Sequence, residues 1–323
     1  MFSKRTIIVG VLSCLLLTGC SVVSTILPDK AATNLLSGRE GVNGPVLIVK
    51  IDDTTQAHPQ IGLEDADIVY IEQVEGGLTR LAAVYSSVIP QRIGPVRSAR
   101  ISDIEIMSQF GRVAFAYSGA QSKLLPVIAA ANLQDLGAQR QSPTIFTTDP
   151  NRVQPYAMVL RADLLMQKIR DDNYQIDSAK SIGFKFGPLQ EGGANTSKAV
   201  MLWPAATYSA IWSLDENRWL LSHNNSVNFA DSGIVLGPTT LVIQMVSITP
   251  SEYGDKFGGV TPFSQTVGTG KAYVLRDGQR FVTTWSRASA EDGTTFSFAD
   301  GTVMNFDPGQ IWIALTDKEP DFT

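Results

Sequence analysis

Apolar and polar positions along this chain follow two different periods, one in each half. Val46–Ile51 (VLIVKI) is a short apolar run rich in β-branched residues, the pattern of a buried strand. Ile68–Gln73 and Leu81–Val88 predict two further strands, separated by Glu75-Gly76-Gly77. Pro95 to about Phe110 predicts a helix, with proline at its start and Ile101, Ile104, Met107 and Phe110 at helical spacing. Val113–Tyr117 follows as a strand, Gln121–Ala131 as a helix, and Tyr156–Arg170 as a second amphipathic helix. Such alternation predicts a mixed α/β domain over residues 44–189.

Gly187–Lys198 (GPLQEGGANTSK) is polar and glycine-rich and marks the best boundary. Beyond it the period is that of strands. Trp219–Leu221, Leu241–Ser247, Gly270–Leu275 and Phe281–Trp285 fit it, as do Thr294–Phe298, Thr302–Phe306 and Ile311–Leu315. Asp277-Gly278 and Asp300-Gly301 fall between such runs, as hairpin turns do. Residues 190–323 are therefore expected to form a second, mostly antiparallel β-rich domain. All the tryptophans (203, 212, 219, 285 and 312) fall in it, and core packing explains them more simply than a sugar-stacking platform does.

The segment before residue 44 follows neither period. Lys4 and Arg5 precede an apolar stretch, Ile7 to Leu17, that is too short to cross a hydrocarbon core of roughly 30 Å. Leu17-Thr18-Gly19-Cys20 comes next and is similar to the lipobox of bacterial lipoproteins, where small residues admit the peptidase and the thiol takes the lipid. Residues 1–19 are thus expected to be an export signal, Cys20 the lipidation site, and 20–43 a tether. The chain is then expected at the cell membrane, lipid-anchored and facing the outside of the cytoplasmic membrane. Cleavage removes Cys14, so the mature chain would hold no disulfide and must rely on core burial.

Charge narrows the partners. The sequence has 26 basic and 31 acidic side chains, net −5, and losing Lys4 and Arg5 takes it to about −7. That balance argues against a nucleic-acid binder and leaves the lipid as the only hold on the membrane. A cell-wall fragment or an envelope protein is the partner class that remains.

Metal chemistry finds little support in spacing. His58 and His223 are the two histidines of the chain and are far apart, so no zinc site and no cofactor is expected. Asp52, Asp53, Glu64, Asp65 and Asp67 cluster in sequence, but solvated loop carboxylates explain them better than a calcium site. Gly268-Thr269-Gly270-Lys271 lacks the remaining positions of a phosphate loop and enters a strand. Ala116-Tyr117-Ser118-Gly119-Ala120, between a predicted strand and helix, leaves Ser118 as the one candidate nucleophile.

The most informative stretch is residues 67–100. Glu72 and Glu75 flank the end of an apolar strand, Gly76-Gly77 permits a close backbone approach, and Arg80 opens the next strand. Arg97 and Arg100 would share the first turns of the predicted helix, where cations oppose the dipole and call for a nearby anion. Two readings fit: a closed Glu72/Glu75–Arg80/Arg97/Arg100 ion network, or a pocket for an anionic ligand. Acid–base work by Glu72 and Glu75 on a glycan is disfavoured, because strand geometry would point them to opposite faces.

At these residues the sequence resembles the YerB-like lipoproteins. The motifs are Ile51-Asp52-Asp53, Pro59-Gln60 with Gly62-Leu63, Ala66-Asp67-Ile68-Val69-Tyr70, Val74 to Arg80 (VEGGLTR) and Ile93 to Arg100 (IGPVRSAR). Gly268-Thr269-Gly270, Asp277-Gly278, Thr284-Trp285 and Pro308 to Trp312 (PGQIW) continue the likeness. The resemblance implies an N-terminal α/β part, a C-terminal β-rich part and an anchored extracytoplasmic protein. It implies no reaction. Three places depart from the family pattern: Asp53 in place of asparagine, His58 in place of arginine, and Pro155-Tyr156-Ala157 in place of a Pro-His-Asn-like triplet. The expectation that follows is a binding or assembly protein with its site at the Glu75–Arg100 centre; the alternative is an envelope hydrolase using Ser118 or Glu72/Glu75.

Overall fold

The computed structural model describes residues 32–255 and 258–323. The expected export signal and the expected lipidation site, Cys20, lie outside the described residues. Residues 32–43, expected to belong to a free tether, are packed: Leu36 and Ser37 are buried, and Ser37 Oγ donates to Asp67 Oδ1 at 2.6 Å. Asn34 Oδ1 accepts from the Leu36 N–H at 2.9 Å, so a buried amide folds this stretch back on itself.

One large sheet carries the structure. From the first part of the chain come β1 (Leu47–Asp52), β2 (Ile68–Gln73), β3 (Thr79–Tyr85), β4 (Val113–Ala116) and β5 (Leu133–Asp135). The later part adds β6 (Ala194–Asn195) and, after a second sheet formed by β7 (Lys198–Trp203), β8 (Ala206–Ser213) and β9 (Arg218–His223), β10 (Thr240–Met245). A hairpin of β11 (Ile248–Gly254) and β12 (Val260–Ser264) precedes β13 (Gly268–Arg276), β14 (Gln279–Arg287) and β15 (Ile311–Thr316). The large sheet runs β6-β14-β13-β10-β15-β2-β3-β1-β4-β5. Strands from both sides of residue 190 thus share one hydrogen-bonded sheet. The seam is β15, parallel to β2 on one side (Ile68 opposite Ile311) and to β10 on the other (Thr240 opposite Ile311).

Both faces of this sheet are covered, which is why its central strands are apolar almost throughout. Leu47, Val49 and Ile51 of β1 point to a core shared with the second sheet and with helix Ala162–Asp171. Ile48, one residue out of step, points to the opposite core, shared with the short helices Ile101–Ser108 and Leu125–Ala130. Trp203, Trp219, Trp285 and Trp312 are buried in these cores, and Trp212 packs against Trp219 with ring centroids 5.3 Å apart.

The described chain is mostly β, so the mixed α/β expectation holds only in part. All three predicted helices shorten, Gln121–Ala131 to Leu125–Ala130. Pro95–Arg100 is extended, not helical, because it lies along the end of β1: the Asp52 N–H donates to Pro95 O at 2.9 Å and the Arg97 N–H to Lys50 O at 2.8 Å. The helix starts at Ile101, where Asp103 Oδ2 accepts the Arg100 N–H at 2.6 Å. Likewise Met158–Arg161 pairs as a strand with Phe146–Thr148 before the helix begins at Ala162. In the second half, the two parallel pairings of β15 depart from a purely antiparallel arrangement.

Candidate functional site

Four of the five charged residues singled out in the sequence meet at one place. Glu75, Arg80, Arg97 and Arg100 line a cleft of about 720 Å³, with Thr79, Ser98, Gln121 and Tyr156 among its other walls and Gly254 and Asp255 closing one side. The cleft forms because the β2–β3 turn (Glu75–Gly77), the extended segment before Ile101 and the β11–β12 hairpin converge.

Its charges are unevenly matched. Arg100 Nε and Nη2 both donate to Glu75 Oε2, at 2.9 and 2.7 Å, and Thr261 of β12 donates to Glu75 Oε1. Burial alone would raise the Glu75 carboxyl, but Arg100 and the Thr261 hydroxyl overcome this and hold it below its usual value. Arg97 donates to Asp52, and its guanidinium sits 5.8 Å from the centre of the Tyr156 ring. Arg80 differs. It donates to Ser98 O at 3.0 Å, and among the described residues no carboxylate forms an ion pair with it. Burial, then the charges of Arg100 and Arg97, push its guanidinium down to about 9. Arg97 and Arg100 therefore do not share a helix face, but they still face one cleft.

Glu72 is not part of it. Lys50, Glu72 and Asp103 form a fully buried triad beneath the helix Ile101–Ser108, with Lys50 Nζ donating to Glu72 Oε1 and, at 2.8 Å, to Asp103 Oδ1. No solvent-facing acid–base pair of Glu72 and Glu75 exists. Ser118 stands near the cleft with its Oγ 3.5 Å from Ser98 Oγ, and no hydrogen bond links it to either histidine. The clustered acids do not gather at one point: Asp52 accepts from Arg97. Asp67 instead accepts the backbone N–H groups of Ser86 and Ser87 at 2.7 and 2.8 Å.

A second polar centre was not foreseen. Asp53, following β1, is buried with Thr79 Oγ1 donating at 2.5 Å and Tyr208 Oη at 2.7 Å. His58 and His223 stack beside it. Sequence spacing hid this cluster, since the second sheet alone brings His223 to Asp53.

Two family models match the chain. One described as "Protein of unknown function (DUF3048) N-terminal domain" matches residues 32–175, and one described as "Protein of unknown function (DUF3048) C-terminal domain" matches residues 199–313. The chain belongs to the YerB-like family. Over 75 residues it is 39% identical to "Putative lipoprotein YerB" of Bacillus subtilis (strain 168), a match covering 23% of this chain and 22% of that protein, so it spans about a fifth of that relative. Its fold superposes on the crystal structure of the YerB protein from Bacillus subtilis with a TM-score of 0.76 at 19% identity, over 90% of this chain and 99% of that one. The positions expected from the sequence to depart from the YerB-like pattern fall at these two centres: Tyr156 lines the cleft, and Asp53 and His58 meet in the buried cluster.

Proposed function

We propose that this YerB-like chain is a membrane-tethered envelope protein that holds an anionic group, a carboxylate or phosphate, in the cleft of Arg80 and Arg97. The single observation behind this reading is the Arg80 guanidinium, partly desolvated in an open cleft and, among the described residues, without a carboxylate paired to it. Glu75 and Arg100 form the cleft's braced floor. Arg97 Nη atoms and Arg80 offer planar forks suited to an oxyanion. The tether is the lipid expected at Cys20, in keeping with the name of the Bacillus relative, and among the described residues no helix is long and apolar enough to cross a membrane. A wall fragment bearing carboxylates or phosphates is the first ligand to test.

Calorimetric titration of the chain with soluble wall fragments checks this. Arg80→Gln and Arg97→Gln should each weaken binding about tenfold or more, the loss of one charge-assisted contact, at unchanged circular dichroism. Arg80→Lys, which keeps the charge and loses the fork, should fall between. Unaltered affinity in all three variants would remove the cleft from consideration. Fragment cleavage that disappears in Ser118→Ala would favour a hydrolase instead.

A further inference from the structure

The fold brings the two histidines of the chain to one carboxylate. His58 Nε2 lies 3.3 Å from Asp53 Oδ1 and His223 Nε2 lies 3.9 Å from Asp53 Oδ2. The candidate ligand atoms of the three residues all fall within 4.8 Å of one another. Asp53 and His223 are buried, and His58 keeps 17% of its side chain open, which leaves a way in.

Neighbouring hydrogen bonds determine what each group offers. Asn228 Oδ1 sits 2.9 Å from His58 Nδ1, and an amide oxygen only accepts, so Nδ1 carries the proton. In the neutral ring, Nε2 then presents a lone pair to the Asp53 carboxylate. Those lone pairs repel, and the Gln60 amide N–H group lies between them, 3.1 Å from His58 Nε2 and 3.4 Å from Asp53 Oδ1, in the place a cation would take. Tyr208 and Thr79 donate to the two Asp53 oxygens, the outer hydrogen bonds that orient a ligating carboxylate. Three buried atoms nearby have no hydrogen-bond partner among the described residues: His223 Nε2, Gln60 Oε1 and Asn228 Nδ2. The Gln60 amide nitrogen is 3.1 Å from His58 Nε2, so turning that amide over about its last torsion aims Oε1 at the same point.

We propose that Asp53, His58 and His223 form a site for a divalent transition metal, with zinc the best fit and Gln60 Oε1 in reach as a fourth ligand. Zinc bound to nitrogen and oxygen at about 2.0–2.1 Å in a tetrahedron sets its ligands about 3.4 Å apart. The observed 3.3 and 3.9 Å lie on either side of that spacing. Two imidazoles with one carboxylate select zinc or its neighbours over calcium and magnesium, which take oxygen ligands. The rings stack 12° from parallel with centroids 4.7 Å apart, so their lone pairs lie in separate planes. Ligation therefore requires the more open His58 ring to turn about its Cβ–Cγ bond. The site would clamp the segment after β1 to β9 of the second sheet.

The rival occupant is a proton on His58, which would satisfy Asp53 without a metal. Zinc titration of the untagged full chain in detergent, stripped with chelator and followed by calorimetry and thermal unfolding, separates the two. The proposal expects one zinc per chain, a higher Tm with zinc, and at least tenfold weaker binding in His223→Gln and in Asp53→Asn. Should those variants fold poorly, the visible spectrum of the cobalt-loaded parent should still report tetrahedral nitrogen–oxygen ligation. Substoichiometric binding in millimolar zinc, or equal affinity in parent and folded variants, would overturn it and leave the proton as the occupant.

Discussion

Lys50 and Arg80 are both cations withdrawn from water, and the chain treats them oppositely. Lys50 lies between Glu72 and Asp103 with all three side chains fully buried. Arg80 has no carboxylate in ion-pair contact among the described residues. Removing Lys50 strands two buried carboxylates, whereas removing Arg80 strands none. Lys50→Met should therefore destabilise the fold by about 3–5 kcal/mol, and Arg80→Met should change it by less than about 1 kcal/mol. Urea unfolding of the two variants checks the contrast, and a Lys50→Met protein as stable as the parent would contradict it. Sequence reading put Glu72 in the same network as the arginines because a two-residue period cannot tell a sealed face from an open one. Lys50 was the missing signal: a lone lysine inside VLIVKI asks for a buried partner on its own face.

At the scale of elements, most strands of the large sheet were legible, while the strands Lys198–Trp203 and Ala206–Ser213, the hairpin of Ile248–Gly254 and Val260–Ser264, and the points where helices begin were not. The strand Ile68–Gln73 appears with the bounds its apolar run predicts, and Asp277-Gly278 makes its hairpin turn with both φ values positive, 51° and 67°. The helix expected from Pro95 starts six residues late because β1 takes the backbone of Pro95–Arg97 first, and no local pattern announces a non-local partner. The β2–β3 turn illustrates the same division. Gly76 and Gly77 both adopt the left-handed region, at φ 70° and 74°. A Cβ on Gly76 would meet nothing, whereas one on Gly77 would lie 2.5 Å from Pro204 Cβ, at the tip of the β7–β8 hairpin, whose Ala205 N–H donates to Gly77 O at 2.9 Å. Gly76→Ala should cost about 1–2 kcal/mol for its backbone conformation alone. Gly77→Ala should cost more, since the second sheet must also give way, and equal urea midpoints for the two variants would show that this docking adds nothing.

For the whole molecule the decisive strand is β15. Its sequence, IWIALT, reads plainly as a buried strand, yet nothing near it in the sequence points to β2 as its partner. Placed between β2 and β10, it joins the end of the chain to the beginning, and Gln310 Nε2 reinforces the seam by donating to Leu63 O at 2.9 Å and Ala66 O at 3.0 Å. The buried Trp203 indole of the second sheet donates to Leu315 O at 2.9 Å, tying that sheet to the same strand. A unit consisting of residues 44–189 alone would expose the full length of β2 as an unpaired edge and uncover the core beneath the second sheet. The same argument explains why the histidine cluster escaped sequence spacing, and why the arginine cleft, whose charged residues the sequence did single out, showed nothing of its wall of Gly254 and Asp255: each takes residues from both sides of residue 190, and neither is complete until the sheet closes. Unfolding of residues 32–323 should therefore be one cooperative event. In urea, the far-ultraviolet circular dichroism, which reports all strands, and the tryptophan fluorescence, which reports only residues beyond 190, should trace superimposable curves with one midpoint. A tryptophan signal lost well before the dichroism would mean that the second half opens while β1–β5 stay folded, and β15 would then be a weak joint instead of the seam of one sheet.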